Sequence, residues 1–282
     1  MTTLNSYATL AEFKAYRVAR GQSASIDTAD DEVIEQLLKK SSNHIESKTG
    51  RHFVPFVETR YFSVPDALSI DARELRLDND LLEIISITNG DGTTIPSTEY
   101  TVRPRNRTPY YAVRLIDNST YYWATDGAGD SHDVIAINGV WGFHNHYADA
   151  WLLGSTAAEA MDATETAYDV TSGTLFKTGN IIRFDNELGY ISSISSNTMT
   201  ISRGINNSTA ATHETGINIY IWQAMEEARG ASLEIADNAY RRRFGDPAST
   251  SAVTITAAGV VLSPKDIPAM AVDFISTYRN IT

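Results

Sequence analysis

The densest group of metal-ligating side chains in this sequence is His144-Asn145-His146, with Asp149 three residues further on and His132-Asp133 before it. Histidines at alternate positions of a strand point to one face, and a nearby carboxylate could complete a zinc site. A catalytic zinc needs three well-placed protein ligands, however, and the helical His-Glu-X-X-His frame is absent. We therefore expect surface or interface histidines and no metal site. A metal-dependent hydrolase centred on His144 and His146 is the weaker hypothesis.

Other arrangements that could support catalysis are incomplete. Asp185 and Glu187 could be the paired carboxylates of a glycosidase, but they lie two residues apart on one predicted hairpin and are expected to be solvated. His213 is expected to stabilise a turn through a hydrogen bond. The sequence contains no cysteine, no Gly-X-Ser-X-Gly elbow and no Gly-rich phosphate loop. We expect a protein that is not an enzyme and that uses no cofactor.

Three arginines at alternate positions, Arg103, Arg105 and Arg107, are followed closely by Tyr110 and Tyr111. Guanidinium groups bind phosphate oxygens and carboxylates, so this patch is a candidate contact for DNA or for the acidic face of a partner protein. A solvated loop explains the same residues equally well. The sequence leaves both interpretations open.

The C-terminal part of the chain carries two further groups that could bind a partner. One is a run of arginines at the end of a predicted helix, where positive charge also interacts favourably with the helix macrodipole. The other is the apolar face of a short helix, which follows a predicted hairpin at 253–262 and is too small to stand alone. We therefore predict that the segment after Gly245 docks on a partner. The candidate residues are Arg241, Arg242, Arg243, Ile267, Phe274 and Tyr278.

The bulk composition is that of a globular protein. The chain has 282 residues, 42% of them hydrophobic and 21% charged, which fits one large domain or two modest ones. Its formal net charge of −12 repels the DNA backbone, although a channel wall past which DNA slides would tolerate it, and solubility alone also explains it. A signal-peptide pattern and a membrane-spanning apolar run are both missing, so we expect a cytoplasmically made protein that contacts no membrane.

The clearest predicted element is a helix over about 29–48. Its apolar residues recur at helical spacing, and its first turn is acidic. Thr28 with Asp31 resembles a capping box, and Gly50 can end the helix. Further helices are predicted over 8–20, 223–244 and 266–278.

Strand-forming residues dominate the middle of the chain. Runs rich in β-branched and aromatic residues between 52 and 143 predict strands. Period-two alternation over about 167–222 predicts half-buried strands with a hairpin turn at Ser195-Ser196-Asn197. Residues 150–161 fit a short helix or an irregular linker. The expected fold class is α+β, with a small all-β barrel or sandwich at 150–222 inserted into a domain made of 1–149 and 223–282.

Several stretches resemble the head-tail connector (adaptor) proteins of tailed bacteriophages. Residues 45–53, Ile-Glu-Ser-Lys-Thr-Gly-Arg-His-Phe, are similar to the end of the long helix in that family. Residues 138–143, Asn-Gly-Val-Trp-Gly-Phe, resemble a strand of the family that leads to a helix ending in Tyr-Arg-Arg-like residues, here 240–244. Ile267-Pro268 and Tyr278-Arg279 are similar to the tail of such connectors.

The segment from about 150 to 222 departs from the connector pattern as an insertion. It resembles a small β module of phage structural proteins, in which a hairpin is followed by an Arg-Gly turn, a Thr-Ala-Ala-X-His stretch and a final strand. Here the Arg-Gly turn is Arg203-Gly204, and the following stretch is 209–213.

The resemblance implies a helical connector core with an antiparallel β-sheet, and a structural role in the neck of the virion. Such connectors form a ring, expected to have twelve subunits, that docks under the portal protein. Each subunit binds its neighbours and a stopper or tail-completion protein, and genomic DNA passes through the central channel. Assembly is expected in the cytoplasm of the host bacterium.

The alternative is a virion protein that decorates the particle or binds carbohydrate or a receptor. Tyr110, Tyr121, Tyr122 and Trp123 could form an aromatic platform for sugar rings beside the inserted module. Aromatic groups of this kind belong more often to a core or an interface. The connector therefore remains the expected function.

Overall fold

The computed structural model describes residues 6–21, 28–66, 71–244, 254–255, 261–262 and 267–280. The chain forms two compact units, one built mainly from Val54–Gln223 and the other from Asn5–Phe53 with Ala224–Thr282. None of the helices within the described ranges is long and apolar enough to cross a membrane. The predicted boundaries of the domain 1–149 with 223–282 and of the insertion 150–222 stay a prediction.

The first unit contains a five-stranded antiparallel sheet in the order β1-β5-β2-β4-β3. Its central strands carry fully buried β-branched residues, among them Ile87, Val113 and Ile137, which pack well on a pleated surface. The second strand has fifteen residues, and shifts of register against both of its neighbours bend it. The strands are β1 (Phe56–Phe62), β2 (Glu74–Thr88), β3 (Tyr100–Arg103), β4 (Tyr110–Leu115) and β5 (Ile135–Trp141).

The same unit contains a six-stranded antiparallel sheet in the order β6-β11-β8-β9-β10-β7. Its edges meet, because Ala157 and Val170 form an antiparallel bridge and Thr171 N–H donates to the Thr156 carbonyl at 2.9 Å. The sheet therefore closes into a small barrel. Its strands are β6 (Trp151–Thr156), β7 (Ala167–Asp169), β8 (Ile181–Phe184), β9 (Glu187–Ser195), β10 (Thr198–Arg203) and β11 (Asn218–Trp222).

Alternating side chains fill the barrel. In β10, Met199 and Ile201 are buried while the alternate residues Thr198, Thr200 and Ser202 are exposed, as the period-two pattern predicts. Gly154 shows how tightly the interior is packed, since a β-carbon at this position would lie 2.6 Å from the Phe176 ring. The full apolar core comprises Ala157, Met161, Tyr168, Val170, Phe176, Ile182, Phe184, Ile191, Met199, Ile201, Ile219 and Ile221.

The stretch 150–161, for which the sequence left helix and linker open, contains strand β6. A register shift between Ile219 and Tyr220 of β11 interrupts its alternation, and both Leu152 and Leu153 are exposed. An irregularity of this kind removes the period-two signal by which a strand is identified in a sequence.

The described residues of the second unit form four α-helices: α1 (Leu10–Ala19), α2 (Asp31–Thr49), α3 (Glu226–Phe244) and α4 (Ala269–Tyr278). Phe13, Ile34 and Leu38 are buried against Leu233 and Tyr240 in one apolar cluster. Residues 254–255 and 261–262 pair as the two short strands β12 and β13, in the region of the predicted hairpin. The turn between them lies outside the described residues.

The ends of the helices agree only in part with the sequence. Gly50 ends α2 in the left-handed conformation with φ +68°, as predicted. The capping box predicted at Thr28 and Asp31 is wrong, because α2 begins after Asp30 and has no side-chain cap. A capping box does exist in α1, where the side chain of Thr9 accepts from the Glu12 N–H and the Glu12 carboxylate accepts from the Thr9 N–H.

The expected fold class, α+β with a helical connector core, is wrong. The described residues are mostly β, with antiparallel sheets of five and six strands and only four helices, and no helical connector core is evident in them. Helical periodicity over 29–48 is a strong signal in the sequence, whereas strands such as β2 and β6 carry irregularities that weaken theirs. The sequence pattern therefore favours the helices in the predicted fold class more than the fold itself does.

Candidate functional site

The three predicted contact arginines are all exposed, at the end of β3 and in the connection between β3 and β4. Arg105 and Arg107 face solvent, and no carboxylate within the described ranges forms an ion pair with them. Arg103 differs, because its Nε donates to Glu74 Oε2 at 2.8 Å. The loop therefore presents two uncompensated positive charges on a chain whose formal net charge is −12. Tyr111, close by on β4, is also exposed.

The expected aromatic platform of Tyr110, Tyr121, Tyr122 and Trp123 is incomplete, because its largest ring is buried in the fold. Trp123 is buried, and its Nε1–H donates to the Arg73 carbonyl at 2.9 Å. Tyr122 is exposed, with the Arg73 guanidinium 5.2 Å from its ring centroid. The indole of Trp123 is therefore a structural element and not part of an exposed sugar-binding surface.

The histidines around position 144 do not assemble a metal site. His144 is buried, and its Nε2 lies 3.2 Å from the Gln223 carbonyl while its Nδ1 accepts from the His146 N–H at 3.1 Å. This geometry fits a neutral ring with the proton on Nε2. His146 and Asp149 are exposed, and within the described ranges no group of three or more His, Asp or Glu side chains is arranged to hold a metal ion.

A polar cluster that the sequence did not reveal lies beside these histidines. The Arg183 guanidinium of β8 donates to both oxygens of Glu83 on β2, at 2.7 and 3.0 Å, and Tyr147 OH donates to the same carboxylate at 2.7 Å. Burial alone would raise the pKa of Glu83, but Arg183 and Tyr147 hold it below its usual value. Burial and Glu83 together raise the pKa of Tyr147 well above its ordinary range. This cluster joins the five-stranded sheet to the barrel.

The residues that resemble the phage β module meet in a buried ion cluster. Arg203 Nη2 and Nε lie 2.6 and 2.8 Å from the two oxygens of Glu187, and His213 Nε2 lies 2.8 Å from Glu187 Oε2. The Ala211 N–H donates to the same oxygen at 2.9 Å. The prediction that Glu187 is solvated is therefore wrong, since its side chain is 1% exposed. Asp185, by contrast, is largely exposed, with Oδ2 3.1 Å from His213 Nδ1.

Glu187 is a structural carboxylate. Burial alone would raise its pKa, but the hydrogen bonds from Arg203, His213 and the Ala211 N–H hold it below its usual value. A glycosidase would need one carboxyl group with a raised pKa to act as the acid. Glu187, whose pKa is lowered, does not fit that role.

The arginines at the end of α3 have different surroundings. Arg241 Nε lies 3.1 Å from Asp237 Oδ2, and Asp237 is 2% exposed. Arg17 Nη1 lies 3.2 Å from the other oxygen of this carboxylate. Arg241 is therefore bound within its own chain, whereas the side chains of Arg242 and Arg243 are exposed.

The apolar face predicted on the C-terminal helix is largely covered by the chain itself. Phe274 is buried with its ring centroid 5.2 Å from that of Phe53, and Tyr278 lies 6.2 Å from the same ring. The exposed apolar side chains of α4 are Met270, at 69%, and Val272, at 44%. Neither was among the predicted contact residues, because helical spacing identifies an apolar face but does not show whether it meets the same chain or another protein.

A scan against protein-family models and searches of the curated proteins and the solved structures found no match. Function is therefore inferred from the residues and contacts described above.

Proposed function

We propose that this chain is a non-enzymatic structural protein of a tailed-phage virion, a head-to-tail connector. In this role it forms a ring, of twelve subunits by the resemblance, under the portal protein. It contacts its neighbours in the ring and a stopper or tail-completion protein, and it surrounds part of the channel for genomic DNA. The chain is assembled in the host cytoplasm and resides in the neck of the virion.

The packing of α2 against α3 is the observation that carries this proposal. The end of α2 bears the Thr49-Gly50-Arg51 motif, and the end of α3 bears the Tyr-Arg-Arg motif. Ser41 Oγ of α2 lies 2.7 Å from Ser232 Oγ of α3, although 191 positions separate them. The two helices that carry the resemblance are therefore neighbours in space. Two motifs that matched by chance would have no reason to lie on neighbouring helices.

The inserted barrel supports the same proposal. Its resemblance to a phage structural module includes Glu187, Arg203 and His213, and these residues form the buried ion cluster that ties the β8–β9 turn to the stretch before β11. The motif is thus explained by the architecture of the barrel. No catalytic role is needed to account for it.

Two surfaces are the candidate contacts with other virion components. Arg105 and Arg107 offer unpaired positive charge to DNA phosphates or to an acidic protein surface. Met270 and Val272 offer exposed apolar area on α4. The predicted partner-binding residues Phe274 and Tyr278 support this helix from behind by packing on Phe53.

Negative-stain electron microscopy of the purified chain with the portal protein of the same phage tests the proposal. We expect a ring that caps the narrow end of the portal. A portal that stays bare, together with virions whose necks lack this chain, would contradict the connector role.

A pair of matched variants identifies the docking surface in the same experiment. The double variant Met270→Ser with Val272→Ser should reduce capping of the portal, because it removes the exposed apolar area of α4. The control is Leu175→Ser, which alters an apolar residue of the barrel that is 51% exposed. Equal capping by both variants would rule out α4 as the docking element.

A further inference from the structure

A cavity of about 470 Å³ opens on the barrel, and the connector role makes no use of it. Its walls include Trp151 at the start of β6 and Tyr220 in β11, and its polar groups include Asp185 and Asn218. We infer that this cavity is a binding site for a neutral carbohydrate. The volume lies in the range of about 300–1,000 Å³ that is usual for small-ligand sites.

The aromatic wall is fixed before any ligand arrives. Trp151 Nε1–H donates to Tyr147 OH at 3.2 Å, and the indole meets the Trp222 ring edge to face with centroids 4.9 Å apart. Trp222 and Trp151 are also direct partners in the β6–β11 ladder. The Arg183 guanidinium lies 5.7 Å from the centroid of the Trp151 ring, and the ring area that it leaves open offers an apolar surface to the C–H groups of a sugar with little loss of side-chain entropy.

The polar groups of the cavity have unused hydrogen-bonding capacity. Asp185 uses Oδ2 for His213, and its Oδ1 accepts no hydrogen bond from the described residues. Asn218 donates from Nδ2 to Tyr220 OH at 3.2 Å, which leaves its carbonyl oxygen open to solvent. A carboxylate and a carboxamide are planar groups that can accept from and donate to neighbouring hydroxyls. They suit a ligand that carries many hydroxyl groups beside an apolar face.

The charge of the cavity selects a neutral ligand. Its two charged side chains are Arg183 and Asp185. The guanidinium of Arg183 is already bound to both oxygens of Glu83, and Asp185 Oδ2 lies 3.1 Å from His213 Nδ1. The described lining of the cavity therefore offers no unbound cation to an anionic ligand. Together with the formal net charge of −12, this disfavours sialylated, sulfated or phosphorylated sugars.

A second cavity of about 400 Å³ extends the site. Asp185 lines both cavities, so its side chain stands on their common rim. The lining of the second cavity includes the amides of Asn138, Asn186 and Asn207 and the hydroxyl of Thr212, together with the carboxylates of Glu58 and Glu187. A chain of two or more sugar rings could therefore contact the aromatic wall with one ring and these amides with the next.

A printed array of neutral hexose and N-acetylhexosamine oligosaccharides, with sialylated and sulfated glycans beside them, tests the inference on the isolated full-length chain. We expect retention of neutral oligosaccharides. In calorimetric titration with a retained oligosaccharide, Asn218→Ala should weaken the affinity about tenfold, the effect of losing one well-placed hydrogen bond. Tyr220→Ala should weaken it further, because it removes half of the aromatic wall.

The control variant is Thr200→Ala, which alters an exposed residue of β10 that lines neither cavity. It should bind like the wild type, and all variants should keep the circular dichroism spectrum of the wild type. The inference is overturned if the array retains no neutral oligosaccharide, if anionic glycans are preferred, or if Asn218→Ala binds like the control. Because the portal is absent from this experiment, each of these outcomes leaves the connector proposal untouched.

Discussion

Glu187 shows how burial changes the role of a charged residue. In the sequence it stands on an alternating strand and looks solvated, yet in the barrel its carboxylate is 1% exposed and bound by Arg203 and His213. Removing water from a charge is costly unless partners replace it, so each member of this cluster depends on the others.

Replacing the carboxylate by an amide should destabilise the protein. Glu187→Gln leaves the buried Arg203 without its counter-charge, and breaking a buried ion pair on one side costs about 3–5 kcal/mol. Urea-induced unfolding measures the loss. The matched control is Glu214→Gln on an exposed residue, which should change stability by less than about 0.5 kcal/mol. Equal stability of the two variants would show that the ion cluster does not support the fold.

The same carboxylate makes stability depend on pH. Its pKa is lowered in the folded state, despite the opposing effect of burial. A group of this kind contributes stability above its unfolded pKa of about 4.3, and the contribution is lost as the pH falls through the lower folded pKa. The stability difference between wild type and Glu187→Gln should therefore be complete at neutral pH and shrink below about pH 4. A difference that grows on acidification would contradict this assignment.

Secondary-structure elements are constrained by how closely their backbones approach. Gly139 lies in β5, within a stretch that resembles the connector family, and β2 runs beside it. A β-carbon there would be 2.5 Å from the Glu83 carbonyl oxygen and 2.8 Å from Leu81 Cδ1. Gly230, in α3, has no atom within 4 Å of the position of a β-carbon. The two glycines therefore respond oppositely to the same substitution.

Gly139→Ala should destabilise the five-stranded sheet by about 1–3 kcal/mol, the usual cost of overpacking. Gly230→Ala should stabilise the protein by about 0.5–1 kcal/mol, because alanine restricts the unfolded chain and favours the helix. Thermal unfolding of both variants measures the two shifts. A stable Gly139→Ala protein would mean that β2 and β5 lie further apart than described.

Helix α4 packs on Phe53 through Phe274 and Tyr278. Phe274→Ala should cost about 3–5 kcal/mol, because it leaves a cavity beside Phe53. Met270→Ala, on the exposed side of the same helix, should change stability by less than about 0.5 kcal/mol. Urea unfolding followed by circular dichroism compares the two. If Phe274→Ala is as stable as Met270→Ala, α4 does not pack on Phe53.

At the scale of the whole molecule, the proposed passage of DNA past this chain depends on its net charge. The chain carries 35 acidic residues against 23 lysines and arginines. An acidic surface repels the phosphate backbone, which suits a channel through which DNA must move without being retained. The exposed Arg105 and Arg107 oppose this effect only locally.

We expect no stable binding of duplex DNA by the isolated chain at physiological ionic strength, because repulsion outweighs two exposed arginines. An electrophoretic mobility assay at about 150 mM salt checks this. The double variant Arg105→Ala with Arg107→Ala should give the same result. A shift of DNA by the wild type that the double variant abolishes would contradict the expectation and assign the loop to DNA.

Predictability from the sequence differed between elements. Helix α2 and strand β10 were predicted because their buried faces produce a regular spacing of apolar residues in the sequence. Strand β6 was not predicted, because its register shift exposes Leu152 and Leu153 together. The predicted share of β-structure was too small for the same reason, since register shifts interrupt the period-two pattern of the strands.

The sequence by itself determined which segments are periodic, where Gly50 ends a helix and which short motifs resemble those of phage connectors. Only the tertiary structure decided that Glu187 is buried, that Phe274 faces its own chain, and that Trp151, Asp185 and Asn218 line one cavity. Periodicity is a local property of the chain, whereas burial and the pairing of charges depend on segments that are distant in sequence. Such contacts are set by the closure of the barrel and by the packing of the helices, and they cannot be predicted from a local sequence pattern.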